Sequence, residues 1–229
     1  MGGGKLVFKS LFGAIFWGSS LLGSAFADDF NNSQDSIYTD DVILEAAENF
    51  DNSGKIENTQ IEVNGGRFIN TGDINTEILD VYTINDGESP KFDGVITATD
   101  TLIYRGAGGN VYPNLNSITT TPLLQIIGMP SGQTGLTITD NKYINGIDSF
   151  YIESNGGRTG IFIDKNVHAT INSLILKDNI EKGQDSRVEI YDEASVNINK
   201  LDIQKGKGVL QVDDNSSFTV DNIVTHIEQ

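Results

Sequence analysis

The chain has no cysteine. A disulfide framework, a thiolate zinc site and a cysteine nucleophile are therefore excluded. Proline is scarce, at four residues, and tryptophan occurs once, at Trp17. Positive charge is also scarce: 15 Lys and Arg face 32 Asp and Glu, for a net charge of −17. Such a balance argues against nucleic acid, whose phosphates require Lys and Arg, and against an anionic membrane surface. The expectation is a soluble, well-hydrated exterior with no nucleic-acid partner. In contrast, 22 Asn and 25 Gly are present. These residues tolerate positive φ, so many tight turns are expected.

The N-terminal 27 residues differ from the rest. Lys5 and Lys9 precede an uncharged run from Ser10 to Ala27, and Asp28 and Asp29 open the acidic chain. The run is short for a membrane span and is diluted by Gly and Ser. It ends in Ala25-Phe26-Ala27, the small-x-small pattern of a signal-peptidase site. Residues 1–27 are thus expected to be a signal peptide cleaved after Ala27, with Ala25 and Ala27 at the site. The competing reading is an uncleaved anchor. Export to the cell surface, periplasm or medium follows from cleavage, with no membrane insertion of the mature chain. A Met-Gly start suggests myristoylation, but Leu6 stands where that motif needs Ser or Thr.

Residues 28–49 form an acidic N-terminal segment or cap. Thr39 or Asp40 could begin a short capping helix through Val42, Ile43, Ala46 and Ala47. Strands and turns are expected from residue 50 to residue 229. Ile61 to Arg67 reads IEVNGGR, and Ile152 to Arg158, 91 residues later, reads IESNGGR. Phe50 to Ile56 and Phe68 to Ile74 share F-x-N-[ST]-G-x-I, eighteen residues apart. Stricter copies begin at Ile147, Ile171, Ile198 and Val220, spaced 24, 27 and 22 residues apart, with looser copies at Leu79, Thr99 and Leu115. Ile163, Ile190 and Val212 each precede a strict start by eight residues.

Parity gives the shape of a unit. Inward residues of a strand keep a step of two. Val196, Ile198, Leu201 and Ile203 step by two, three and two, so the chain bends at Asn199-Lys200. Equivalent bends fall at Asp148-Ser149, Asn172-Ser173 and Asp221-Asn222, where Asn and Asp best accept a left-handed corner. A second polar corner falls at Asp192-Glu193. The pattern predicts an all-β fold, a right-handed parallel β-helix of roughly nine coils, each about 22 residues long. The copied NGGR then marks a coil corner, although Asn-Gly is also a hairpin signal. An antiparallel sandwich would also show short strands at regular spacing. It leaves the eight-residue spacing and the repeated parity break unexplained.

A signal segment, acidic charge, no cysteine and Asn/Gly/Thr-rich coils with N-[ST]-G-x-I resemble bacterial autotransporter passengers and related β-helical surface proteins. The resemblance covers about residues 50 to 229 and is one of repeat style. It implies a non-enzymatic, adhesin-like surface protein or a passenger fragment, with a surface protein or glycan as partner. The membrane β-barrel that ends such proteins is not found in this sequence. The strand-like run from Val224 to Gln229 shows no evident cap. Self-association through that coil is a further expectation.

No catalytic constellation emerges, and no cofactor or metal is expected. Gly128 to Gly135 mimics a phosphate loop without its Lys, and Leu136 to Thr139 after it reads as strand. His168 and His226 have no partner at a metal-ligand spacing, and His168 shares a corner position with Ser195 and Ser217. The alternative reading is a carbohydrate-active β-helical enzyme, a polysaccharide lyase or hydrolase. Asp192-Glu193 and Asp213-Asp214 could then stack as paired carboxylates, against a reading of both as hydrated turns. Arg67, Arg105, Arg158 and Arg187 are read as turn residues. One outward column of the third strand is expected to run Thr83, Ile103, Thr119, Tyr151, Ile175, Asp202, Val224. Ile103, Tyr151, Ile175 and Val224 make it a candidate contact stripe. The competing reading is that long connections such as Lys177 to Glu189 cover it.

Overall fold

The computed structural model describes residues 29–45, 48–84, 90–107, 112–130, 133–165, 167–178, 185–206 and 208–226. Ala25, Ala27, Ala46 and Ala47 lie outside them. The chain is a parallel β-solenoid of about eight turns, with a single helical turn, α1 (Asn141–Ile144), among the described residues. Every strand pairing recorded is parallel, which removes both the sandwich and the local hairpin.

One long sheet carries the length of the stack. It begins with β2 (Ile37–Tyr38) and β3 (Val42–Leu44), then β5 (Lys55–Glu57) and β6 (Gln60–Gly65). It continues through β8 (Asp73–Ile84), β10 (Val95–Ala107), β11 (Ile118–Gly128), β13 (Ile147–Ser154), β15 (His168–Asp178), β17 (Ser195–Lys205) and β19 (Ser217–Thr225). The remaining face comprises two four-stranded sheets. The first holds β1 (Phe30–Asn32), β4 (Phe50–Asn52), β7 (Phe68–Asn70) and β9 (Lys91–Phe92). The second holds β12 (Gln133–Ile138), β14 (Arg158–Ile163), β16 (Ser186–Ile190) and β18 (Val209–Val212). Bridges from Phe92 to Leu115 and from Asn114 to Thr137 carry the register from one to the other.

Stacking puts like residues on like residues, which is why the sequence repeats. The F-x-N motif places Phe30, Phe50 and Phe68 in one inward ladder that Phe92 extends, with successive ring centroids 5.1, 4.9 and 5.0 Å apart. Beside it runs a ladder of buried amides. Asn32 Nδ2 donates to Asn52 Oδ1 at 2.8 Å, and Asn52 Nδ2 to Asn70 Oδ1 at 2.7 Å. Asn70 closes the series by donating to the Asp93 carbonyl at 2.7 Å. Each amide thus meets the demand of a buried polar group from the coil next to it. In the second half, Ile163, Ile190 and Val212 stand in register, as do Ile171, Ile198 and Val220. The eight-residue spacing is therefore the constant path from one face to the next.

Four expectations are corrected. Val42 to Leu44 form strand β3, paired with β6, where a helix was expected. Three β-branched or aliphatic residues with burial alternating in, out, in fit a strand on the stack. The solenoid also begins before residue 50, because β1 already pairs with β4. The parity-break corners do not adopt left-handed φ. Among the described non-glycine residues only Lys165, Asp192 and Glu193 do, at 58°, 52° and 66°. At the parity breaks the side chains form a hydrogen-bonded ladder instead. Asn172 Nδ2 donates to Asp148 Oδ1, and Asn199 Nδ2 to Asn172 Oδ1, each at 3.3 Å. Finally, the two NGGR copies are four coils apart but out of register by two residues: Ile61 aligns through Leu79, Leu102 and Leu124 with Phe150, not Ile152.

Candidate functional site

Two outward faces carry the side chains that could meet a partner. The first is the exterior of the long sheet. Its register runs Glu62, Asp80, Ile103, Gln125, Tyr151, Ile175, Asp202, Val224. Ile103, Tyr151, Ile175 and Val224 therefore share the expected column, and all four are partly exposed. Thr83 and Thr119 do not belong to it. Both are buried, and Asp80 and Gln125 take their places. The cause is coil length, which varies from 18 to 27 residues along the column, with register shifts in β10.

The stripe is thus a patch rather than a continuous band. Gln125 lies at its centre, with Ile103 and Tyr151 on the adjacent coils and Leu123 and Ile127 two residues along its own strand. Charges around the patch are paired. Arg105 bridges Asp80, and Lys177 Nζ lies 3.3 Å from Glu153, which also accepts from the Tyr151 hydroxyl at 2.5 Å. Farther along, Asp202 interrupts the column, held by Lys200 at 3.6 Å and by His226 at 3.0 Å. The connection expected to cover the stripe contains residues 179–184, outside the described residues.

The second face is the exterior of β12, β14, β16 and β18. Here Arg158, Gly160 and Phe162 point outward on one strand, and Arg187 and Glu189 on the next. Glu189 is only 2% exposed despite facing out. Arg158, Arg187 and Tyr191 all converge on its carboxylate, with Arg187 Nη1 at 3.0 Å. Tyr112 stacks on Phe162 at 4.1 Å between centroids and donates to Gln133 at 2.7 Å. Two glycines make room. A Cβ on Gly135 would lie 2.6 Å from the Tyr112 ring, and one on Gly160 would lie 2.7 Å from Arg187 Cγ.

Burial alone would raise the Glu189 carboxyl, but the hydrogen bonds from Tyr191, Arg158 and Arg187 outweigh it and hold it below the usual range. Burial and the bond to Glu189 push the Tyr191 hydroxyl up to about 12. Both guanidinium groups and the Tyr191 hydroxyl are tied to one carboxylate, with Nε of Arg158 and of Arg187 left buried without a partner among the described residues, so the cluster works as a clamp spanning successive coils. Arg158 and Arg187 are therefore strand residues in a network and not turn residues. Sequence reasoning missed this cluster. Its signal was the period-two pattern R-x-G-x-F and R-x-E-x-Y around inward Ile161, Ile163, Val188 and Ile190.

A pH dependence follows. A folded carboxyl held below its unfolded value near ~4.3 contributes stability that is present above that value and lost as pH falls through the folded one. Wild-type protein should lose stability across this acid window, and Glu189→Gln should show a flatter curve there. Denaturant midpoints at a series of pH values read this directly. Identical slopes would remove Glu189 as a cause.

The other expected residues are placed plainly. His168 lies in register with Ser195 and Ser217, as expected, and is exposed. Asp213 accepts from the backbone N–H groups of Asp192 at 2.9 Å and Asn215 at 3.3 Å, the work of a turn residue. Among the described residues, no group of three or more His, Cys, Asp or Glu is arranged to hold a metal ion. Leu136 to Ile138 fall in β12, so the phosphate-loop mimic leads into a strand.

Fold and outer faces together define a β-solenoid with a partly apolar exterior. Comparison with family models, with curated proteins and with solved structures finds no match to this chain.

Proposed function

We propose that this chain is an exported, non-enzymatic, adhesin-like surface protein, used in the manner of an autotransporter passenger. It holds a partner, a surface protein or a glycan, against the exterior of its long sheet. The observation that carries this reading is the patch around Gln125, where Ile103, Leu123, Ile127 and Tyr151 all point outward on neighbouring coils. An outward column on a sheet facing water is ordinarily polar, and a cluster of apolar side chains there favours contact. The paired charges at its edge support the same reading, because they leave little net charge at the patch on a strongly acidic chain. The Asn/Gly/Thr-rich repeat style and the N-terminal segment ending at Ala27 fit it as well.

The test is the double change Tyr151→Ser with Ile175→Ser. Both side chains point outward, so the melting temperature should stay within a few degrees of wild type. Association of the labelled, mature protein with cells or immobilised surface glycans should fall at least tenfold. A variant that folds and still associates as wild type removes this face from the proposal. A variant that unfolds shows the residues to be covered core, with the same consequence.

A further inference from the structure

The four arginines are not paired alike. Arg67 bridges Asp51 and Arg105 bridges Asp80, one carboxylate to each. Arg158 and Arg187 share a single oxygen of Glu189, and Arg187 has a longer contact of 3.4 Å with Asp185. A guanidinium carries five N–H donors, so this pair holds more donors than the carboxylates beside it accept. Nε of each is buried without a partner among the described residues. Nε of Arg105 is buried in the same way, but that guanidinium keeps a carboxylate to itself. The surroundings of the pair are flat. Register places Gly135, Gly160 and Arg187 in one outward column, with Gln133 and Arg158 on one side and Thr137, Phe162 and Glu189 on the other. Because the two glycines carry no side chain, the Tyr112 ring lies over Gly135 and the Arg187 stem over Gly160. Tyr112 stacks on Phe162, and Arg158 Cζ stands 5.5 Å from the Phe162 ring centroid. Tyr112, Phe162 and Arg158 are all partly exposed. Two rings and two guanidinium groups thus form one shelf on the outside of the sheet.

We propose that this shelf binds a sugar ring bearing a carboxylate, one unit of an acidic glycan. The surplus of donors calls for an acceptor, and a planar carboxylate matches the guanidinium fork in two parallel bonds. The rings call for a flat, apolar face beside that charge. The negative face of an aromatic ring meets the C–H side of a sugar ring in that way. Glu189 lies beneath the shelf and is 2% exposed. It therefore lowers the positive field of both arginines without touching the ligand. A chain of net charge −17 does not draw anions from a distance, so recognition must come from these contacts. The site is separate from the long-sheet patch and holds whether or not that patch binds a partner.

The experiment is titration calorimetry of the folded chain with oligogalacturonate, its methyl ester, oligoglutamate and inorganic sulfate. Oligogalacturonate should bind at least tenfold more tightly than the others, because the ester lacks the charge and the last two lack the ring. Phe162→Leu removes the flat ring, and Arg158→Lys keeps the charge but loses the fork. Each should weaken binding at least tenfold. Glu189→Gln takes a negative charge from beneath both arginines, so it should tighten binding about threefold or more. A change that merely loosened the shelf would weaken it. Tyr151→Ser with Ile175→Ser should leave the affinity unchanged. Far-UV circular dichroism on each variant confirms that the coils persist. If Arg158→Lys or Glu189→Gln unfolds, Phe162→Leu, which leaves the Glu189 bonds in place, decides. No binding of oligogalacturonate overturns the proposal. So do equal binding of the ester, of oligoglutamate or of sulfate, a folded Phe162→Leu that binds as wild type, and a folded Glu189→Gln that binds no more tightly.

Discussion

Phe68→Ala is expected to cost about 3–5 kcal/mol, the range for emptying a buried aromatic site. Phe68 is fully buried and stands between Phe50, 4.9 Å away with rings 11° apart, and Phe92, 5.0 Å away with rings 37° apart. Removing it leaves a cavity and breaks two aromatic contacts at once. The flanking rings cannot close the gap by moving together, because their backbones are fixed by strand pairing at ~4.8 Å per coil. Coils of a solenoid touch only their neighbours, so the loss should be regional. Hydrogen exchange should quicken in β1, β4, β7 and β9 and stay near wild type in β16 to β19. An unfolding free energy from urea titration within a few tenths of a kcal/mol of wild type would mean that the ladder is not part of the core.

The second large effect falls at the other end. Asp178 ends β15 and is 4% exposed. One of its oxygens accepts from the Ser186 backbone N–H at 2.6 Å and from the Ser186 hydroxyl; the other accepts from the Gly208 N–H at 2.9 Å. It therefore ties the end of one coil to the beginning of β16 and to the turn before β18. Asp178→Ala leaves those donors unsatisfied in a buried site, at about 1–3 kcal/mol for each group that finds no water, so the expected loss is about 3–5 kcal/mol. Asp178→Asn keeps an acceptor oxygen and should retain more stability than the alanine variant. Faster exchange should be confined to β16 through β19. Protection there equal to wild type in Asp178→Ala would show that these bonds do not hold the coils.

The second half of the fold was readable because inward positions on a stack must repeat. Ile163 and Ile171, then Ile190 and Ile198, then Val212 and Val220 keep one distance because the path between faces is constant. The first half was harder. Its coils change length, so a motif beginning at Leu79 or Leu115 gave a column three or six residues out of place and put buried Thr83 and Thr119 on the surface. The segment from Val42 invites a helix because Val42, Ile43, Ala46 and Ala47 keep helical spacing behind Thr39 or Asp40, and so short a run carries too little periodicity to separate the two states. Spacing shows that Arg158, Arg187 and Glu189 face outward, but not which side chains meet them. Tyr112, Gln133, Phe162 and Tyr191 do so from four coils, and only a known register brings them together. Asp178 gave no signal either, since its partners lie eight and 30 residues away.

The parallel, in-register stack is tested most directly by engineered disulfides, and the absence of native cysteine makes the result unambiguous. His168 and Ser195 are register partners 27 residues apart, both on the outside of the long sheet. Parallel neighbours ~4.8 Å apart fall within the Cα separations a disulfide accepts, about 4.4–6.8 Å. His168→Cys with Ser195→Cys should therefore oxidise nearly completely in the folded protein without loss of β structure. His168→Cys with Asn197→Cys, slipped by two residues on the same face, should not. Failure of the first pair to cross-link, or equal cross-linking of the slipped pair, would contradict the solenoid register.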